Sequence, residues 1–121
     1  MRGLLIDVWN DEIREVEAST LDEYYKLIGC DTIDIVYYKI GSRYYNIICD
    51  DEGLLKDSIR ISAFDKQMHP ILVGNLLIFG DTDENAEFTS LTDRDIIQIK
   101  ERIGKASTKG YKHPVIKDLN M

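Results

Sequence analysis

Two runs rich in Ile, Val and Tyr, Thr32–Ile40 and Arg43–Asp50, are separated only by Gly41-Ser42. That spacing predicts an antiparallel hairpin with a two-residue type II′ turn and glycine first. Because side chains alternate along a strand, the turn sets the whole register. Tyr38 should lie opposite Tyr45 and Val36 opposite Ile47 on one face, with Tyr37 opposite Asn46 and Ile35 opposite Ile48 on the other. Both faces then carry apolar or aromatic groups, so this hairpin belongs at the centre of a sheet or against a second subunit.

The rest of the chain supplies partners for it. Leu4–Trp9 alternates as a strand, Asn10-Asp11 is a turn signal, and Glu12–Glu17 returns as an acidic edge strand. Thr20 and Glu23 stand in capping-box spacing ahead of Leu21, Tyr24 and Ile28, and Gly29 is a helix stop. Leu54–Ile61 is expected to continue the sheet irregularly, residues 62–70 to form a loop, and Ile71–Phe79 to be a buried strand interrupted at Gly74-Asn75. Glu87–Leu91 is a candidate short strand. Thr92 should cap the longest helix, with a stripe of Ile96, Ile99 and Ile103 and a stop at Gly104. These elements predict an α+β single domain: a mainly antiparallel sheet of about five or six strands with two helices.

Charge divides the chain. Residues 1–99 carry 9 basic against 20 acidic side chains, whereas 100–117 carry six cations and only Glu101. The expected organisation is a ligand-binding domain over 1–105 and a basic C-terminal tail over 106–121. A formal charge of -7 disfavours nonspecific nucleic-acid or anionic-membrane binding. With no leader-like segment and no run approaching a membrane span, a cytoplasmic protein is expected.

Known catalytic patterns are missing from the sequence. Cys30 and Cys49 lack metal-ligand spacing, His69 and His113 stand alone, and Asp50-Asp51-Glu52-Gly53 reads as a solvated turn. There is no nucleophile elbow, Walker A motif or dinucleotide fingerprint. The expectation is a binding protein, with no catalytic residue, metal or cofactor. Binding groups are present: Arg60 as a fixed cation, Phe64 as a flat ring, Gly74 as a point of close backbone approach, and Asn75 as an amide. Arg94 sits in the first turn of a helix, where a cation opposes the dipole but joins free N–H groups that favour phosphate.

The order of parts supplies a resemblance. Leu21–Gly29, the tyrosine-rich hairpin, Ile48–Gly53, Val73-Gly74-Asn75 and Phe88–Thr92 resemble a group of small, mostly phage-encoded proteins that share a domain of unknown function. Within that group the chain is similar to the phage Thoeris anti-defence proteins of the first kind. The resemblance implies a sponge for cyclic ADP-ribose isomers made by bacterial TIR-domain enzymes, acting in the cytoplasm of the infected bacterial host. It implies a homo-oligomer, dimer or higher, with pockets at subunit boundaries. Phe64, Asn75 and Arg94 would take the family's aromatic, amide and arginine positions. A further basic group would fall at Lys109 or Lys112, where this chain has no arginine. The alternative reading is an acidic protein-binding inhibitor or DNA mimic acting against restriction or CRISPR enzymes; its acids would need phosphate-like spacing, and here they cluster in turns. A nucleotide-processing enzyme is the third class.

Overall fold

The computed structural model describes residues 1–56 and 58–121. It begins with two antiparallel strands, β1 (Arg2–Asp7) and β2 (Glu12–Glu17). Helix α1 (Leu21–Ile28) follows with its capping box formed: Thr20 Oγ1 accepts from Glu23 N–H at 3.3 Å, and the Glu23 carboxylate accepts from Thr20 N–H at 3.1 Å. Gly29 closes the helix. The hairpin of β3 (Ile33–Ile40) and β4 (Arg43–Asp50) has the expected register, including Tyr38 opposite Tyr45 and Ile35 opposite Ile48.

Beyond Asp50 the structure departs from the sequence expectations. Gly53–Leu55 is a single 3-10 turn, and position 57, within the Leu54–Ile61 stretch, lies outside the described residues. The expected loop at 62–70 contains most of β5 (Ile61–Asp65) and the start of β6 (Pro70–Val73). Pro70 is tolerated because β6 is an edge strand and the proline stands at its first position. The buried run Ile71–Phe79 is two strands: Gly74 has φ +76, and beyond it β7 (Leu76–Phe79) enters a different sheet. Between 87 and 91 only Phe88 pairs, in an isolated bridge with Thr82.

Helix α2 (Asp93–Lys100) is no longer than α1, and Ile103 and Gly104 belong to β8 (Ile103–Thr108). The stretch expected as a tail from 106 instead completes β8 and forms β9 (Tyr111–Leu119). Lys109 and Gly110, at φ +51 and +86, make the turn between them. Two positive φ values are what a tight hairpin of matching twist requires, and glycine adopts one without strain. Pro114 lies where β9 pairs with β8 alone, before its ladder with β5 begins at Ile116, so its missing N–H breaks no second ladder.

The result is an α+β domain with two helices and nine strands in two sheets among the described residues. The first sheet runs β2-β1-β7-β4-β3 and the second β6-β5-β9-β8. All ladders are antiparallel except β5 with β9. β1 and β7 are apolar on both sides because both faces of the first sheet are covered. Leu5, Leu77 and Phe79 pack under Tyr24 and Ile28 of α1. Leu4, Ile6, Leu76 and Ile78 face the second sheet and α2, meeting Ala63, Ile116, Leu119, Ile96 and Ile99. At the far edge, β3 and the chain end are tied by a backbone bridge between Lys39 and Asn120. Among the described residues no helix is long and apolar enough to cross a membrane.

Candidate functional site

The break at Gly74-Asn75 helps to form a cleft. Gly74 N–H donates to Arg60 O at 2.8 Å, joining the crossover between sheets to the segment entering β5. Nothing stands within 4 Å of where a Gly74 Cβ would be, so the positive φ, and not crowding, requires glycine there. Asn75 is buried; its Oδ1 accepts from Val8 N–H at 2.9 Å, and its Nδ2 lies 3.5 Å from Leu27 O. Arg60 Nη1 donates to Val8 O at 2.7 Å. Both backbone groups of Val8, just past the end of β1, are thus satisfied by side chains the sequence singled out.

The next residue completes the wall. Asp7 is buried and accepts from the N–H groups of Trp9 and Asn10, both at 3.0 Å, and from Asn10 Nδ2 at 2.8 Å. This turn presents Trp9, 43% exposed, beneath the Arg60 guanidinium at 4.7 Å from the ring centroid. Tyr111 from the β8–β9 hairpin approaches the same guanidinium at 5.3 Å. Two aromatic rings and one carbonyl therefore hold the cation in place, and each contact is worth about 0.5–1 kcal/mol or more as desolvation increases.

Trp9, Arg60, Gly74 and Asn75 line a cleft of about 280 Å³ together with Lys56 and Asp50. Lys56 Nζ is 3.6 Å from Asp50 Oδ2. The cleft shares Asp50, Gly53 and Ile59 with a larger, mainly apolar groove of about 660 Å³ between the 3-10 turn and β6. Leu54 and Leu55, at 71% and 81% exposed, form one lip of that groove. A charged cleft opening onto an apolar groove suits a ligand with a phosphate end and a flat or apolar end.

Of the residues expected to act together, Arg60, Gly74 and Asn75 converge. Phe64 is half-buried in β5 opposite Pro70, and neither it nor Arg94 lines this cleft or the groove. Arg94 is exposed on α2, whose first turn already holds an anion: the Asp95 carboxylate accepts from Thr92 N–H at 2.9 Å. Lys109 and Lys112 are exposed on the β8–β9 hairpin and line neither. Sequence reasoning missed Trp9, Lys56 and Tyr111. Trp9 is the single tryptophan and stands directly before a turn signal, a detectable cue; Tyr111 had none, because its role depends on a hairpin read as a tail.

The two thiols are not ionised at neutral pH. Burial, chiefly, raises Cys30 and Cys49 to about 11, with nearby acids adding to the effect.

An α+β domain of two facing sheets, with a cation-and-aromatic cleft where the chain crosses between them, is the class these features define. The chain belongs to the family described as a domain of unknown function, DUF3846, which matches residues 1–104. No curated protein and no solved structure matches it.

Proposed function

We propose that the protein binds and sequesters, without cleaving it, a cyclic ADP-ribose isomer of the kind made by bacterial TIR-domain immune enzymes, in the cytoplasm of a phage-infected bacterium. The observation that carries this reading is the Arg60 guanidinium held against Trp9 at the junction of a charged cleft and an apolar groove. Arg60 and Lys56 would meet the diphosphate, where charge-assisted bonds are about twice as strong as neutral ones. The open face of Trp9 would stack on the base, a contact worth about 1–3 kcal/mol. Gly74 lets the ligand approach the backbone, and the Leu54–Leu55 lip would cover the rest.

The test is calorimetry with a purified cyclic ADP-ribose isomer, followed by mass analysis of ligand released by heat. Intact ligand is expected; linear ADP-ribose above a buffer control would end the sponge reading. Trp9→Ala and Arg60→Gln should each weaken binding about 10–100-fold, the glutamine keeping a donor for Val8 O. Phe64→Ala and Arg94→Ala should stay within about twofold of the parent. The reverse pattern would move the pocket away from this cleft.

The acidic-inhibitor alternative has less support. Its best candidate surface, β2, has carboxylates that are already paired: Glu15 with Arg2, Glu17 with the N-terminal amine at 3.0 Å, and Glu12 with Arg14 at 3.9 Å.

The homo-oligomer belongs to the same proposal. β3 is the outer strand of its sheet, with Ile35 and Tyr37 about half exposed. Its edge is occupied at Lys39 by Asn120. A second copy pairing antiparallel about Ile35 would set Ile33 against Tyr37 on the part of the edge that Asn120 leaves open. Centring on Asp34 would instead oppose two carboxylates, which is destabilising. Light scattering should show a dimer or larger species at micromolar concentration, and Ile35→Lys should yield a monomer. A monomeric parent would refute the assembly.

A further inference from the structure

A second cleft opens where the chain end closes the two sheets. Lys39 N–H donates to Asn120 O at 2.6 Å, and Asn120 N–H returns to Lys39 O at 3.0 Å. This bridge brings cations from three separate segments to one opening: Lys39 near the end of β3, Lys66 just past β5, and Arg102 between α2 and β8. With Gly41, Asp118 and Asn120 they line a cleft of about 330 Å³. It shares no lining residue with the Arg60 cleft.

The local charge runs against the composition. The chain has 22 acidic and 15 basic residues, yet three cations face one carboxylate here. Among the described residues, the ion pairs within 4 Å include neither Lys39 nor Lys66. Arg102 is held in position, because its Nη1 donates to Gln98 O at 2.8 Å. Among the described residues its ion-pair partner within 4 Å, the exposed Glu101, is 3.8 Å away and does not line the cleft. Like charges gathered in excess of their counter-charges favour an anion that neutralises them. A planar arginine fork and two lysine point charges suit phosphate oxygens.

We infer that this cleft binds a compact phosphate polyanion of the diphosphate or triphosphate class. An extended nucleic acid is disfavoured by the acidic remainder of the surface. An adjoining cleft of about 230 Å³ shares Lys66 and Asn120 and adds Tyr38, Ile71 and Leu119 together with the Asp65 carboxylate. It gives the base of a nucleotide a place beside its phosphates, whereas an inorganic polyphosphate would use the cationic cleft alone. This site is independent of the cyclic-nucleotide reading.

The experiment titrates the full-length protein with inorganic tripolyphosphate and, separately, with ATP, in low-salt, metal-free buffer. Saturable submillimolar binding that weakens with added salt is expected. The Lys39→Gln, Lys66→Gln double variant should lose at least about tenfold in affinity, while Lys26→Gln, which removes an exposed cation lining neither cleft, should leave it unchanged. Tighter binding of ATP than of tripolyphosphate would identify the nucleotide as the source, and equal binding the phosphate alone; both support the site. Amide shifts on the parent protein give a readout independent of any variant and should centre on Lys39, Lys66 and Asn120. Absence of saturable binding by both probes, full affinity in the double variant, or shifts centred on Trp9 and Gly74 would overturn the proposal.

Discussion

A chain ended after Gly104 is expected to lose its cooperative fold, although the family match itself stops there. β9 is an inner strand of the second sheet, lying between β5 and β8. Without residues 105–121, β5 loses its partner on that side, and Ile103 and Gly104 are left with no strand to pair. Val115, Ile116 and Leu119 are each at most 1% exposed. Burying one such side chain is worth about 1.5–3 kcal/mol, so three together rival the about 5–15 kcal/mol that holds a whole domain. The Lys39–Asn120 bridge and the Tyr111 contact on Arg60 go as well. Circular dichroism and a thermal melt decide the matter: the truncated chain should show no sigmoidal transition. A transition matching that of the full chain would mean that the first sheet is stable alone.

The second large effect is expected at Asp95, the buried carboxylate that fastens α2 to the β3–β4 hairpin. One oxygen accepts from the Tyr45 hydroxyl at 2.7 Å and from Arg43 Nη1 at 2.9 Å; the other accepts from Thr92 N–H at 2.9 Å. Gln98 Nε2 in turn donates to the Tyr45 oxygen at 3.0 Å. Asp95→Ala leaves the buried Tyr45 hydroxyl without its acceptor and removes the reciprocal half of the capping box, and should lower the unfolding free energy by about 3 kcal/mol. Chemical denaturation measures it; a loss below about 1 kcal/mol would show that the network is not coupled.

The same carboxylate gives a pH dependence of definite sign. Burial acts to raise its pKa, but the bonds from Thr92 and Tyr45 and the Arg43 charge outweigh it and hold Asp95 below its ordinary value. A carboxylate depressed in the folded state contributes fully above its unfolded pKa of about 3.9, and that contribution is lost as pH falls through the lower folded value. The parent should therefore lose stability on acidification below about pH 4, with a shallower acid limb in Asp95→Asn. Tyr45 plays no part in that limb, since burial and the Asp95 bond raise its hydroxyl to about 12.

Local chemistry in the sequence was enough for several elements. Gly41-Ser42 set the β3–β4 register, and Thr20 with Glu23 set the start of α1, because turn geometry and helix caps depend on residues a few positions apart. The convergence of Arg60, Gly74 and Asn75 was legible too, since residue types that break a strand pattern mark the place where the chain changes direction. What lay beyond the sequence was the second sheet. The stretches read as a loop at 62–70 and a tail from 106 have little apolar periodicity of their own, and they become strands by pairing with each other across more than 40 intervening residues. Trp9 and Tyr111 meet Arg60 only after that pairing, whereas Phe64, in β5, and Arg94, on α2, stay outside the cleft. Contacts that depend on which distant strands become neighbours are decided by burial of the whole chain, and no short window of sequence encodes them.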